Sequence, residues 1–149
     1  MGRRGILTVS IAVASVLALA GCSSTTGGGS GRSAAQGQAT QWIRDAASAV
    51  SPAPASQVKS SAYENCRSDH GYFVTRSEWR TVAQFSIPGS QQAAATKAIA
   101  SAFEAQGWKG KTVAGILTLT GPKSARGQIR LETGGGSALD VSAISACYS

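Results

Sequence analysis

His70 is the only histidine in the chain. It stands beside Asp69, close to Glu64, Cys66 and Arg67. A histidine among carboxylates is the raw material of general-base catalysis at neutral pH. A Ser-His-Asp arrangement has serines enough to draw on, but neither a G-x-S-x-G nor an S-x-x-K motif is expected to mark a nucleophile. A lone histidine also lacks the local partners from which metal sites are built. Glu64 and Asp69 are the nearest thing to an acid pair for sugar hydrolysis, which needs two carboxylates about 5–10 Å apart. Only 7 acidic residues occur in the whole chain, and they are widely spread. His70 therefore reads as an ordinary loop histidine. No catalytic residue, metal or cofactor is assigned, and the chain is expected not to be an enzyme. The glycine runs, Gly27-Gly28-Gly29 and Gly134-Gly135-Gly136, read as flexible or turn segments and not as phosphate loops.

The remaining chemistry lies in three cysteines, Cys22, Cys66 and Cys147. Cys22 closes a particular N-terminal pattern. Arg3 and Arg4 are followed by an apolar run over residues 6–20. That run is too short to cross about 30 Å of hydrocarbon comfortably, and its cationic start and small-residue end are those of a secretory signal. Its last residues, Leu19, Ala20, Gly21 and Cys22, resemble the lipobox of bacterial lipoproteins: Leu, a small residue, Gly or Ala, then Cys. The resemblance implies a diacylglycerol on the Cys22 thiol and cleavage between Gly21 and Cys22. It also implies acylation of the new amine, as with palmitate, and residence on the outer, extracytoplasmic face of the cell membrane. Met1-Gly2 does not read as a myristoylation signal, because Ile6 stands where Ser or Thr is required. Arg3-Arg4 suits either a Sec or a twin-arginine export signal.

With Cys22 given to lipid, Cys66 and Cys147 are an even pair in an oxidising compartment, and a disulfide is the default. A metal or redox pair is the alternative, without C-x-x-C spacing to recommend it.

The formal net charge is +7; loss of residues 1–21 takes two cations with it and leaves +5. The excess suits anionic headgroups or wall polymers, or is simply a solvated surface. Export argues against nucleic acid as a partner. Residues 22–37 are nearly all Ser, Thr, Gly, Ala and Gln and read as a lipidated cysteine followed by a flexible tether. Residues 38–149 are long enough for one globular domain.

Within that domain, Ala39, Trp42, Ile43, Ala46, Ala47 and Val50 form one helical stripe, ended by Pro52 and Pro54. Residues 56–71 read as loop with a short extended piece. Trp79, Thr81, Ala83, Phe85 and Ile87 alternate with Arg80, Val82, Gln84 and Ser86, a strand with one buried face. Ser90 reads as the N-cap of a second helix with Ala95, Ala98, Ile99, Ala102 and Phe103 inward and Gln92, Thr96 and Lys97 outward. Gly107 and Trp108 supply its C-terminal cap and hydrophobic contact. Three strands follow, through Val113 to Leu119, through Ile129 and Leu131, and through Leu139, Val141 and Ala143. A bulge or change of face is expected near Ala143. The fold class is α+β, in two layers: an antiparallel sheet of about four strands with two helices on one face.

Cys66, Gly107, Trp108, Ser145 and Cys147 together give the domain a loose similarity to small actinobacterial secreted lipoproteins of unknown function. That similarity implies the fold and the disulfide and no activity. Arg76, Arg80, Lys109, Lys111, Arg126 and Arg130 are candidates for an anion-binding surface, with Trp79, Trp108 and Tyr148 as stacking surface or as core. The function expected is a lipid-anchored binding or accessory module of the cell envelope, without catalysis. Its partner is the membrane, through lipid, and then an envelope protein, a wall polymer or a small ligand. The alternatives are a small envelope hydrolase using His70 and a phage-type surface-exclusion lipoprotein.

Overall fold

The computed structural model describes residues 31–67 and 73–148. Leu19, Ala20, Gly21, Cys22, Asp69 and His70 lie outside the described residues. The order is α1 (Gly31–Ser48), β1 (Ser56–Arg67), β2 (Phe73–Ser86), α2 (Gly89–Glu104), β3 (Lys109–Val113), β4 (Ile116–Thr120), β5 (Gln128–Thr133) and β6 (Ala138–Ile144). All six strands join one antiparallel sheet in the order β1-β2-β6-β5-β4-β3. The mixed architecture is as expected; the count of about four strands is not.

Two segments account for the extra strands. Residues 56–71, read as mostly loop, contain the 12-residue β1. This strand lies at the sheet edge and is exposed along nearly its whole length. An uncovered edge strand needs no apolar alternation, so its sequence carries no strand signal. Its register is held by polar contacts: Trp79 Nε1–H donates to Ser61 Oγ at 2.9 Å, and Ser61 Oγ lies 3.2 Å from Thr81 Oγ1. Bulges between Val58 and Ser60 and between Asn65 and Arg67 interrupt it. The second segment, Val113 to Leu119, is two strands and not one. Ala114 and Gly115 have φ of 50° and 80°, and Val113 pairs with Ile116 across them. Two successive positive φ values make the tight hairpin turn that follows the natural strand twist.

The helices also differ in detail. α1 begins at Gly31, inside the stretch read as tether, and buries Ala35, Ala39, Trp42, Ile43 and Ala46. The added first turns extend the same stripe by one position, Ala35. α2 starts at Gly89 behind Pro88, without a side-chain cap, so Ser90 is not the N-cap. Gln92, expected outside, is buried, and its Nε2 donates to the carbonyls of Ile87 and Gly136, each at 3.2 Å. The C-terminal cap forms as read: Gly107 takes φ +87°, Trp108 N–H reaches Phe103 O at 3.2 Å and Gly107 N–H reaches Glu104 O at 2.9 Å. These are the two hydrogen bonds of the Schellman motif. No bulge occurs near Ala143; β6 keeps register with β2 and β5 through Ile144.

Both helices lie against one face of the sheet, α1 mainly over β2 and β6, α2 over β3 and β6. The core between the layers holds Trp42, Trp79, Phe85, Ile99, Phe103, Trp108, Leu119, Ile129, Leu131, Leu139 and Val141. Trp108 stacks edge-on against both Trp42 and Phe103, with ring centres 4.9 and 5.1 Å apart. Trp79 and Trp108 are thus core and not free stacking surface. Among the described residues no helix is long and apolar enough to cross a membrane, and none covers the other sheet face.

Candidate functional site

Partial burial of charge with a raised carboxyl pKa is a feature that separates a site from a solvated surface, and Glu78 at one end of the sheet has it. There Cys147 is bonded to Cys66, as expected for the pair. The chain beyond β6 is zipped to β2: Ser77 and Tyr148 exchange backbone hydrogen bonds of 2.9 and 2.7 Å, and Ser145 N–H reaches Trp79 O at 2.9 Å. Ser145 Oγ accepts from Trp79 N–H at 2.8 Å and donates to Ala146 O at 2.9 Å. This buried serine spends its hydroxyl on the backbone of β2 and of its own segment.

The connection between β4 and β5 builds the facing wall. Gly121 N–H reaches Gly127 O at 2.8 Å and Arg126 N–H reaches Pro122 O at 2.8 Å. Arg126 adopts φ +47°, and its Nε–H donates to Lys123 O at 3.1 Å, which fixes the start of the guanidinium. Gly127 is pressed onto the Trp42 ring so closely that a Cβ would overlap it, and would lie 2.7 Å from Ile144 O. Gln38 of α1 ties the two walls: its Nε2 donates to Ala125 O at 3.3 Å and its Oε1 accepts from Ala146 N–H at 3.4 Å.

Between these walls is an open cleft of about 340 Å³ lined by Glu78, Thr120, Arg126, Gly127, Gln128, Ile144, Ser145 and Cys147. A second, of about 220 Å³, shares Thr120 and adds Gly107, Lys109, Gly121, Pro122 and Lys123. Glu78 is half-buried and sits directly across the β1–β2 pair from Glu64. Desolvation, and then repulsion by Glu64, raise its carboxyl above the ordinary value of 4.5, with Arg80 opposing. Arg80 also approaches Glu64, Nη1 to Oε1, at 3.6 Å. The Glu78 carboxylate and the two cysteine sulfurs lie within 4.8 Å of one another. Because the sulfurs are bonded together, the trio offers no thiolates to a metal.

The structure disperses the cations singled out in the sequence. Strand register sets Arg80, Ile144, Gln128, Thr120 and Lys109 in one row, and Val82, Ser142, Arg130, Thr118 and Lys111 in the next. Arg80 and Lys109 thus share the uncovered face, four strand spacings apart, about 19 Å. Arg126 stands at the sheet end. The Arg76 side chain lies outside the description. Glu64 pairs across the sheet with Glu78, a partner that sequence distance concealed. Against the expectation of no S-x-x-K motif, Ser56-Gln57-Val58-Lys59 has that spacing, which some acyl-transfer enzymes use. It falls on β1, with Lys59 Nζ on Gln57 Oε1 at 2.7 Å and a bulge between Val58 and Ser60. A strand does not place residues three apart on one face as a helix does.

No protein-family model matches this chain, and neither a curated protein nor a solved structure matches it.

Proposed function

We propose that the chain is a lipid-anchored protein of the outer face of the cell membrane that binds a partner or ligand without catalysis. The observation that carries the reading is Leu19-Ala20-Gly21-Cys22 at the end of a cationic, then apolar, N-terminal run. Two acyl chains hold a protein durably where one does not. The Cys66–Cys147 bond supports the reading, since such bonds persist in oxidising compartments. So does a sheet with one face bare of helices among the described residues and a charged, partly buried cleft at its end. The ligand class is an envelope protein, a wall polymer or a small molecule. Cys22→Ala should abolish labelling by a fatty acid and release or misprocess the protein. A wild-type chain that stays in the membrane fraction without taking up label would refute the anchor. Photo-crosslinking in living cells, with the reactive group at Gln128, tests the binding reading; no partner captured there, with hydrolytic activity that is lost in His70→Ala, would replace it.

A further inference from the structure

We infer that the Arg126 end of the domain lies down on the anionic phospholipid surface of the membrane that holds it, with Lys109, Lys123, Arg126 and Arg32 facing the headgroups. The inference rests on the lipid anchor proposed above and adds an orientation to it. Its first ground is chain length. Eight residues separate Cys22 from Gly31, the first residue of α1. Fully extended they reach about 30 Å, including the bonds to their neighbours. The start of α1 therefore stays within that distance of the bilayer.

The second ground is where α1 starts. Gly31 shares a surface groove with Gln38, Cys147 and Tyr148. Cys147 in turn lines the cleft that holds Arg126, and Thr120 joins that cleft to the one holding Lys109 and Lys123. The chain thus enters the domain at the end that carries these cations. The third ground is charge. Arg32 stands in the first helical turn, where the helix dipole already disfavours a cation; its guanidinium lies 4.8 Å from the Tyr63 ring centre and 5.5 Å from that of Trp79. Lys109, Lys123 and Arg126 are exposed, and among the described residues none of the four has a carboxylate within ion-pair distance. Among the described residues the acids nearby are Glu64, engaged by Arg80, the half-buried Glu78, and Glu104 at the end of α2. These cations without an ion-pair partner are what an anionic bilayer would attract. Each contributes about fivefold to the docked orientation.

The test is amine acetylation of the full lipidated protein in vesicles, read lysine by lysine by mass spectrometry. Vesicles of phosphatidylcholine alone are compared with vesicles containing phosphatidylglycerol. Lys109 and Lys123 should be labelled at least about fivefold more slowly in the anionic vesicles, and high salt should restore the rate. Lys59 on the β1 edge and Lys97 on α2 should not change. Arg32→Glu with Arg126→Glu, which spares the reporting lysines, should weaken the protection. Should that variant misfold, the lipid comparison on the wild type decides alone. An anchored chain labelled equally in both vesicles overturns the orientation and leaves the anchor standing. A chain without acyl groups on Cys22 removes both. Protection that appears only on adding an anionic wall polymer overturns the lipid surface in favour of that polymer.

Discussion

At the end of the sheet where Cys147 meets Cys66, a cleft of about 340 Å³ presents Glu78 and Arg126. At the opposite end a cleft of about 360 Å³ is lined by Ala55, Ser56, Gln57, Gln84, Ser86, Ser137 and Ala138. Neither is larger in any useful sense, yet only the first holds ionisable groups. The two ends are also held differently. The first is cross-linked by a disulfide and propped on the Trp42–Trp108–Phe103 cluster. The second is laced by hydrogen bonds, among them Gln92 to Ile87 O and Gly136 O, Ile87 N–H to Ser137 O at 3.0 Å, Ser86 N–H to Ala55 O at 2.9 Å and Gln84 Nε2–H to Asp140 Oδ1 at 3.1 Å. The comparison teaches that cleft size does not mark a site. The Glu78 carboxylate is kept partly from water and faces Glu64, which costs free energy, and rigid walls are what keep it there.

The largest blow to this contrast is removal of the cross-link. Cys66→Ser with Cys147→Ser should destabilise the protein by about 4–5 kcal/mol in the chain-entropy model, for a sequence separation of 81. Denaturant titration checks it. Hydrogen exchange should rise first at residues 145–148 and least at the Gln92 end; uniform exchange at both ends would contradict the distinction drawn between them.

Next comes a glycine pair, one from each end. Gly127→Ala drives a methyl into Trp42 and should cost about 1–3 kcal/mol. Gly135→Ala meets nothing within 4 Å and should stay within about 0.5 kcal/mol of wild type. Thermal melts of the two variants side by side measure the difference, and equal melts would mean that the wall against Trp42 is not rigid.

The smallest effect is that of Glu78→Gln. Glu78 binds its proton more tightly folded than unfolded, so its ionisation opposes folding. The stability it contributes is fully present below its ordinary value of 4.5 and is lost as pH rises through its raised folded value. The glutamine variant should melt higher than wild type at pH 7, and the gap should close as the pH falls below that window. A gap independent of pH would show that Glu78 is as well solvated as the opposite end.

Much of this architecture was legible along the chain. The inward face of β2, the α1 stripe and the Gly107–Trp108 cap could be read because each buries apolar groups at its own period, 2.0 or 3.6. β1 was not legible, because a strand paired on one side and wet on the other needs no such period. The hairpin at Ala114-Gly115 was hidden for a related reason: alternation continues across a two-residue turn as if the strand ran on. The candidate site was less legible still. Its lining comes from β2, β4, β5, the β4–β5 connection and the chain after β6.

The sequence by itself determined the lipobox resemblance, a disulfide as the default for Cys66 and Cys147 once Cys22 is set aside, and most of the apolar core, with Gln92, Trp79 and Trp108 left to the structure. Those follow from local pattern and from burial, which side-chain type largely dictates. Tertiary structure alone decided that Glu78 faces Glu64, that Gly127 must yield its place to Trp42, and that Lys109, Lys123 and Arg126 share the end at which α1 begins. Each depends on which strands lie side by side and in what register, and register is a property of paired chains that no single segment carries.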